Sequence, residues 1–158
     1  MKNLDKFKKK VDAAEKILLI THQNPDGDAL GATSALFYLL KNYGKKVFAV
    51  CRDEIPTLFC FISGIKKFQK DFLIGDYDLI IILDCGDLKR TGFIDRLKNP
   101  KLKKRKIINI DHHPKNDVHR IASLNLVDYD SSSTAEIVYN IANELDLPIT
   151  RDIATSLL

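Results

Sequence analysis

The sequence predicts an α/β fold, a doubly wound and mainly parallel sheet with helices on both faces. Two observations lead there. Short apolar, β-branched runs alternate with stretches of helical spacing along the 158 residues, the pattern of repeated βα units. No linker, internal repeat or low-complexity stretch interrupts them, so a single domain over 1–158 is expected.

Residues 5–16 carry Phe7, Val11 and Ala14 at helical spacing, and 17–21 then read as a buried strand that delivers His22 to its carboxyl end. Residues 28–44 form a helix with a Gly44 stop and small residues along one side, suited to close packing on a sheet. A strand at 46–51 follows, and then an apolar but irregular stretch, 56–68, read as a short helix and a turn around Ser63 and Gly64. Residues 77–84 are a continuous β-branched run of the kind buried on both faces. A loop and helix over 88–98 end at Asn99-Pro100, and 106–111 make another central strand. An edge strand is expected at 122–127, a helix capped from a serine run at 132–145, and the start of one more at 150–158.

Composition narrows the classes. With 45% hydrophobic and 29% charged residues the chain reads as a soluble globular protein. Its apolar stretches fall far short of the ~20 residues that cross a membrane, and no secretory signal is apparent, so a cytoplasmic protein with no membrane partner is expected. Cys51, Cys60 and Cys85 are odd in number and lack Cys-x-x-Cys spacing, which argues for buried reduced thiols. The net charge of +4 comes from lysine runs at 8–10, 45–46, 66–67 and 101–106. A basic exterior around an acidic pocket suits a polyanionic substrate, although each run alone reads as a solvated surface.

The chemistry sits in three acidic clusters. His22-x-x-x-Asp26-x-Asp28 follows the first strand, Asp84 ends the 77–84 run, and Asp111-His112-His113 ends the 106–111 strand. In a parallel sheet these strand ends share one edge, where ligands bind. Each cluster has a plainer reading alone: Asn24-Pro25-Asp26-Gly27 is a strong turn sequence and Asp28 could cap the next helix. Together, Asp26, Asp28, Asp84 and Asp111 would repel and raise one another's pKa unless a cation lay between them. Mixed carboxylate and imidazole donors favour two divalent cations, Mn²⁺ first, with Zn²⁺, Co²⁺ or Fe²⁺ also suited and Mg²⁺ less so. No Gly-x-Gly-x-x-Gly follows the first strand, which argues against a dinucleotide site.

In order, His22-x-Asn24-Pro25-Asp26-Gly27-Asp28, Asp84, Asp111-His112-His113-Pro114 and Ser132-Ser-Ser-Thr-Ala-Glu136 resemble the motifs of the DHH phosphoesterases. That superfamily includes exonucleases, exopolyphosphatases and manganese-dependent pyrophosphatases. The resemblance is strongest to the branch that hydrolyses short oligoribonucleotides and nucleoside 3′,5′-bisphosphates through a metal-bridging hydroxide. It implies His22, Asp26 and Asp84 on one Mn²⁺, and Asp28, Asp84 and His112 on the other. It further implies Asp111 orienting a neighbouring imidazole and His113 at the scissile phosphate or its leaving oxygen. Asn24 and Arg90 are candidate substrate contacts, and a homodimer is implied. Ser132 to Thr134 open a helix whose free N–H groups could receive an anion, or simply be capped.

Members of this family add a further aspartate from a strand beyond the helix that here starts near Thr150, and then a smaller substrate-binding domain. The expectation is therefore a DHH domain incomplete at its C-terminal end, with the second domain absent. Asp128 and Asp130 are the nearby carboxylates that could substitute, but turn roles describe both. Two alternatives stay open: a manganese-dependent pyrophosphatase or exopolyphosphatase, and a catalytically incompetent nucleotide-binding fragment.

Overall fold

The computed structural model of the chain describes residues 3–99, 106–114 and 117–158. Five strands, β1 (Lys16–Ile20), β2 (Lys46–Val50), β3 (Leu79–Leu83), β4 (Ile107–Asp111) and β5 (Leu124–Val127), form one sheet. Their order is β2-β1-β3-β4-β5 and every pairing is parallel. Chain direction across the sheet reverses between β1 and β3, so a crevice opens beyond their carboxyl ends. The functional clusters follow those two strands and β4.

Side chains alternate between two cores. Ile17, Leu19, Leu79, Ile81, Leu83, Ile108, Ile110, Leu124 and Leu126 face a layer of helices. That layer holds α1 (Leu4–Asp12), α2 (Gly27–Asn42) and, after a four-residue α3 (Ile94–Leu97) elsewhere, α4 (Thr134–Glu144) and α5 (Arg151–Ser156). The opposite face carries Leu18, Ile20, Ile80, Ile82 and Ile107. Helices were expected on this face too, and they are short. Here α3 and short 3-10 turns cover it, and aromatic rings supply the bulk: Phe72 meets Phe93 edge-on at 4.9 Å and Tyr77 at 6.4 Å.

Several boundaries differ from the sequence expectation for local reasons. The first helix stops at Asp12, not Lys16, because the Glu15 and Lys16 amides donate to the Asp78 carboxylate at 3.1 and 2.9 Å and draw the chain into β1. Residues 56–68 form two 3-10 turns, Thr57–Phe59 and Ile65–Lys67, hinged at Gly64 with φ +80°. Cys51 and Cys85 are buried as expected, whereas Cys60 is exposed. The lysine runs serve the surface: Lys8 pairs with Asp12 at 2.9 Å, Lys46 with Glu15 at 2.5 Å, and Lys45 donates to the Asp12 and Ala14 carbonyls. Of the 101–106 run only Lys106 lies within the described residues, as does Asn99 but not Pro100 of the expected helix stop.

The small residues of α2 do not all serve the sheet. Gly31 lies under the Ser156 carbonyl of α5, so close that any Cβ would collide with backbone. Backbone cannot swing aside as a side chain can. Gly31→Val should therefore push α5 off α2 and cost about 1–3 kcal/mol by overpacking, read as a lower midpoint in urea unfolding. An unchanged midpoint would mean that α5 does not close on α2 in solution.

Candidate metal centre

Asp84 is the hub. It ends β3 with a left-handed backbone, φ 54°, a conformation that aspartate tolerates better than most residues. Its N–H donates to the Ile110 carbonyl at 3.0 Å, which ties the turn to β4. The side chain is buried, and its two oxygens face different groups. Oδ2 lies 3.7 Å from His22 Nε2. Oδ1 accepts the Thr134 hydroxyl at 2.8 Å and lies 3.7 Å from both His112 Nε2 and His113 Nδ1.

His22 is fully enclosed and reaches the site from the end of β1. Its Nδ1 lies 2.7 Å from the Gln23 carbonyl, so in the neutral ring Nδ1 carries the proton, and Nε2 points between Asp26, 3.8 Å away, and Asp84, where its lone pair could ligate a cation. The loop behind it is pinned. Asn24, at φ 48°, and Gln23 both donate to the Asp53 carboxylate, at 2.9 and 3.1 Å, and the Gln23 amide donates to the Arg90 carbonyl at 2.6 Å. Asp26 caps α2 by accepting the Ala29 amide at 3.0 Å while staying exposed on its other side. Asp28, one candidate for that cap, does something else.

Both oxygens of Asp28 accept backbone N–H groups from the start of α4, Thr134 and Ala135, each at 2.8 Å. Of the two readings of that helix N-terminus, an anion or a cap, both are present, and the anion is a side chain of the same molecule. The serine run caps as well: Ser133 accepts the Glu136 amide at 3.1 Å, and Glu136 reaches back to the Ser132 amide, one residue before the cap, at 2.7 Å, a variant of the capping box. Asp28 Oδ2 remains 3.6 Å from His112 Nε2. On the other side, Asp111 Oδ1 accepts His113 Nδ1–H at 2.7 Å and the His112 and His113 amides at 2.8 and 3.2 Å.

The fold thus brings His22, Asp26, Asp28, Asp84, Asp111, His112 and His113 into one crevice. Among the described residues two triads have ligand atoms mutually within 4.8 Å: His22, Asp26 and Asp84, and Asp84, His112 and His113. The second holds His113 where the sequence expectation has Asp28, and Asp28 stays beside it, its Oδ2 3.6 Å from His112 Nε2. Asn24 is exposed with its backbone N–H on Asp53, and the Arg90 guanidinium lies 3.1 Å from His22 Nδ1. Asp130 donates its amide to Asp128, 3.1 Å away, and Asp128 also accepts the Ser131 hydroxyl, so both are turn residues. Reading the sequence missed Thr134 as an Asp84 partner and Asp53 as the loop anchor. Asp53 had one signal: it follows β2 at the same sheet edge.

Electrostatics divide the carboxylates. Burial, then the charge of Asp84, pushes Asp28 up to about 6 against the pull of the α4 amides. Asp84 departs from the expected mutual raising: burial would lift it, but contact with His22, the Thr134 hydroxyl and the charge of His113 hold it below the ordinary aspartate value. Burial lowers His22, yet Asp84, the Gln23 carbonyl and Asp26 outweigh it and leave the imidazole raised. Burial, then Asp111, pushes the Cys85 thiol to about 12, so it stays protonated beside the site. Carboxylates interleaved with the buried His22 and the half-buried His112 and His113 form a donor set that suits a divalent cation of the Mn²⁺ type.

Residues 16–158 match the family described as DHH family, N-terminal domain. The bifunctional oligoribonuclease and PAP phosphatase NrnA of Thermus thermophilus is 28% identical over 149 residues, 90% of this chain and 41% of that protein. The protein of the same name from Mycoplasma genitalium is 33% identical over 103 residues, 65% of this chain and 32% of its own length. Among solved structures, an exopolyphosphatase-related protein from Bacteroides fragilis superposes with a TM-score of 0.83 at 26% identity, covering 98% of this chain and 47% of that one. The chain spans less than half the length of these relatives.

The raised pKa values of Asp28 and His22 have a stability consequence in the metal-free protein. The folded state binds their protons more tightly than the unfolded chain does, so their contribution is complete at low pH and is lost as pH rises through the folded values. Carboxylates held low, such as Asp84, lose their contribution only below the ordinary aspartate range. Melting in EDTA should therefore be higher at pH 5 than at pH 7.5, and Mn²⁺ should raise the melting temperature more at pH 7.5, where protons no longer compete. A metal-free melting temperature that climbs from pH 5 to pH 7.5 would contradict this charge arrangement.

Proposed function

From the premise that this chain belongs to the DHH family, we propose that it is a metal-dependent phosphoesterase acting on short oligoribonucleotides and nucleoside 3′,5′-bisphosphates. One observation carries the reading: the two oxygens of the buried Asp84 face two separate imidazole groups, His22 on one side and His112 with His113 on the other. A carboxylate so shared suits a pair of cations, most fittingly Mn²⁺, with Mg²⁺, Co²⁺ or Zn²⁺ as substitutes. His22, Asp26 and Asp84 would hold one, and Asp28, Asp84 and His112 the other. When bound, such ions polarise phosphoryl oxygens and lower the pKa of water.

The chain's own groups do the rest. Asp111 holds the His113 ring by its Nδ1–H, and in the imidazolium form the Nε2–H would meet the phosphate or pass its proton to the leaving oxygen. Thr134 keeps Asp84 in one rotamer through its hydroxyl, and the α4 amides do the same for Asp28. Arg90, beside His22, is positioned for an anionic oxygen. Asn24 sets the loop that carries Asp26. The names of the Thermus and Mycoplasma relatives support the nucleotide substrates. The exopolyphosphatase-related neighbour favours a second reading, cleavage of phosphoanhydrides by the same residues.

The test is hydrolysis of penta-adenylate, adenosine 3′,5′-bisphosphate and polyphosphate by the purified protein with and without Mn²⁺. Activity should vanish on chelation and return with Mn²⁺. Asp84→Ala should lose roughly 10²- to 10³-fold in kcat/KM, the scale of removing a central electrostatic group. A loss below about tenfold, worth only ~1.4 kcal/mol of barrier, would remove Asp84 from the mechanism. Preference for polyphosphate over both nucleotides would select the second reading.

A further inference from the structure

A cleft of about 750 Å³, on the scale of a nucleotide-sized ligand, opens directly from the metal centre. Arg90 and His113 belong to both. Beyond them its walls carry Lys89, Arg120 and Tyr129, three residues with no part in the candidate metal centre. Two acidic residues also line it, but each is committed to backbone. Asp87 accepts the Lys89 amide at 2.8 Å, and Asp117 accepts the Leu88 amide at 2.7 Å while its own amide donates to Gly86. The two Asp117 bonds join the 3-10 turn Leu88–Thr91 to the turn Val118–Arg120.

The cations are left over. Lys89 and Arg120 are exposed and form no ion pair among the described residues, unlike Lys8, Lys46, Lys70 and Arg96, which do. Tyr129 is 65% exposed, an aromatic face on the wall of a charged cleft with no ring partner among the described residues. Unpaired cations beside an uncovered ring are the parts of a single-strand binding groove: phosphates meet the charges and a base stacks on the ring. Inorganic polyphosphate would use the cations but has nothing to place on Tyr129.

We infer that this cleft binds the nucleotide adjoining the scissile phosphate of a single-stranded oligoribonucleotide, with Lys89 and Arg120 on its phosphates and Tyr129 stacked on its base. The inference rests on the phosphoesterase reading for the direction of the strand, since Arg90 and His113 join cleft to metal centre.

The experiment measures anisotropy of a fluorescein-tagged, phosphorothioate-linked penta-adenylate with the Mn²⁺-loaded protein over a range of salt. Lys89→Ala with Arg120→Ala should weaken binding at least about tenfold and flatten the log-affinity against log-salt slope by about 1.4, two contacts at about 0.7 each. Tyr129→Ala should cost about tenfold for the oligonucleotide, nothing for an abasic strand, and Tyr129→Phe should restore it. Lys6→Ala with Lys9→Ala, on α1 at the other end of the sheet, controls for net charge, and melting curves check folding. Equal losses in that control, or affinities of the cleft variants within twofold of the parent, would overturn the inference even if Mn²⁺-dependent hydrolysis persists. A Tyr129→Ala protein that binds like the parent, with polyphosphate competing fully, would replace a nucleotide by a simple polyanion. Cleft-dependent binding without any metal-dependent hydrolysis would support the binding site while sinking the phosphoesterase reading.

Discussion

A buried carboxylate at the end of a central strand is the constraint to which the rest of this structure answers. Asp84 is 2% exposed, and an ionised group so enclosed is costly unless charges and hydrogen bonds surround it. The sheet and the helix layer both contribute partners. β1 brings His22, β4 brings His112 and His113, and the first turn of α4 brings the Thr134 hydroxyl. The same enclosure that makes Asp84 expensive makes it a strong site for a cation.

The helix layer is therefore part of the chemistry. α4 holds Asp28 through two backbone amides and Asp84 through a hydroxyl, so its first turn sets the spacing between the two acids. α2 begins from the other direction with Asp26 as its cap. Because Gly31 lets α5 press against α2, with α4 packed on the same helix, a shift in that layer would move Asp28 relative to Asp84. The opposite face of the sheet is lighter and shorter, and the cleft with Lys89, Arg120 and Tyr129 opens among its turns. One face thus provides rigidity and the other provides access.

Much of this was legible in the residues. The strands at 17–20, 79–83 and 107–111 announced themselves by β-branched runs, and their carboxyl ends carry the clusters, as parallel topology demands. What local patterns did not reveal was reach. Asp28 looked like a cap for its own helix but lies 106 residues in sequence from the Thr134 amide it accepts. Thr134 looked like ordinary capping chemistry because nothing nearby in sequence hints at Asp84. The first helix ended early because of Asp78, more than sixty positions away. Such contacts are invisible to spacing, since periodicity reports only neighbours within a turn or two.

Sequence by itself determined the element order, the parallel sheet and the membership of His22, Asp26, Asp84 and the 111–113 cluster in one crevice, because strand ends of a parallel sheet share an edge. Only the tertiary structure decided how those groups divide. It gave the two oxygens of Asp84 different neighbours, turned Asp28 onto α4, paired His113 with Asp111, and set Lys89 and Arg120 in one cleft with Tyr129, without an ion pair among the described residues. Side-chain direction follows from packing between elements far apart in the chain, and that is settled when the layers close.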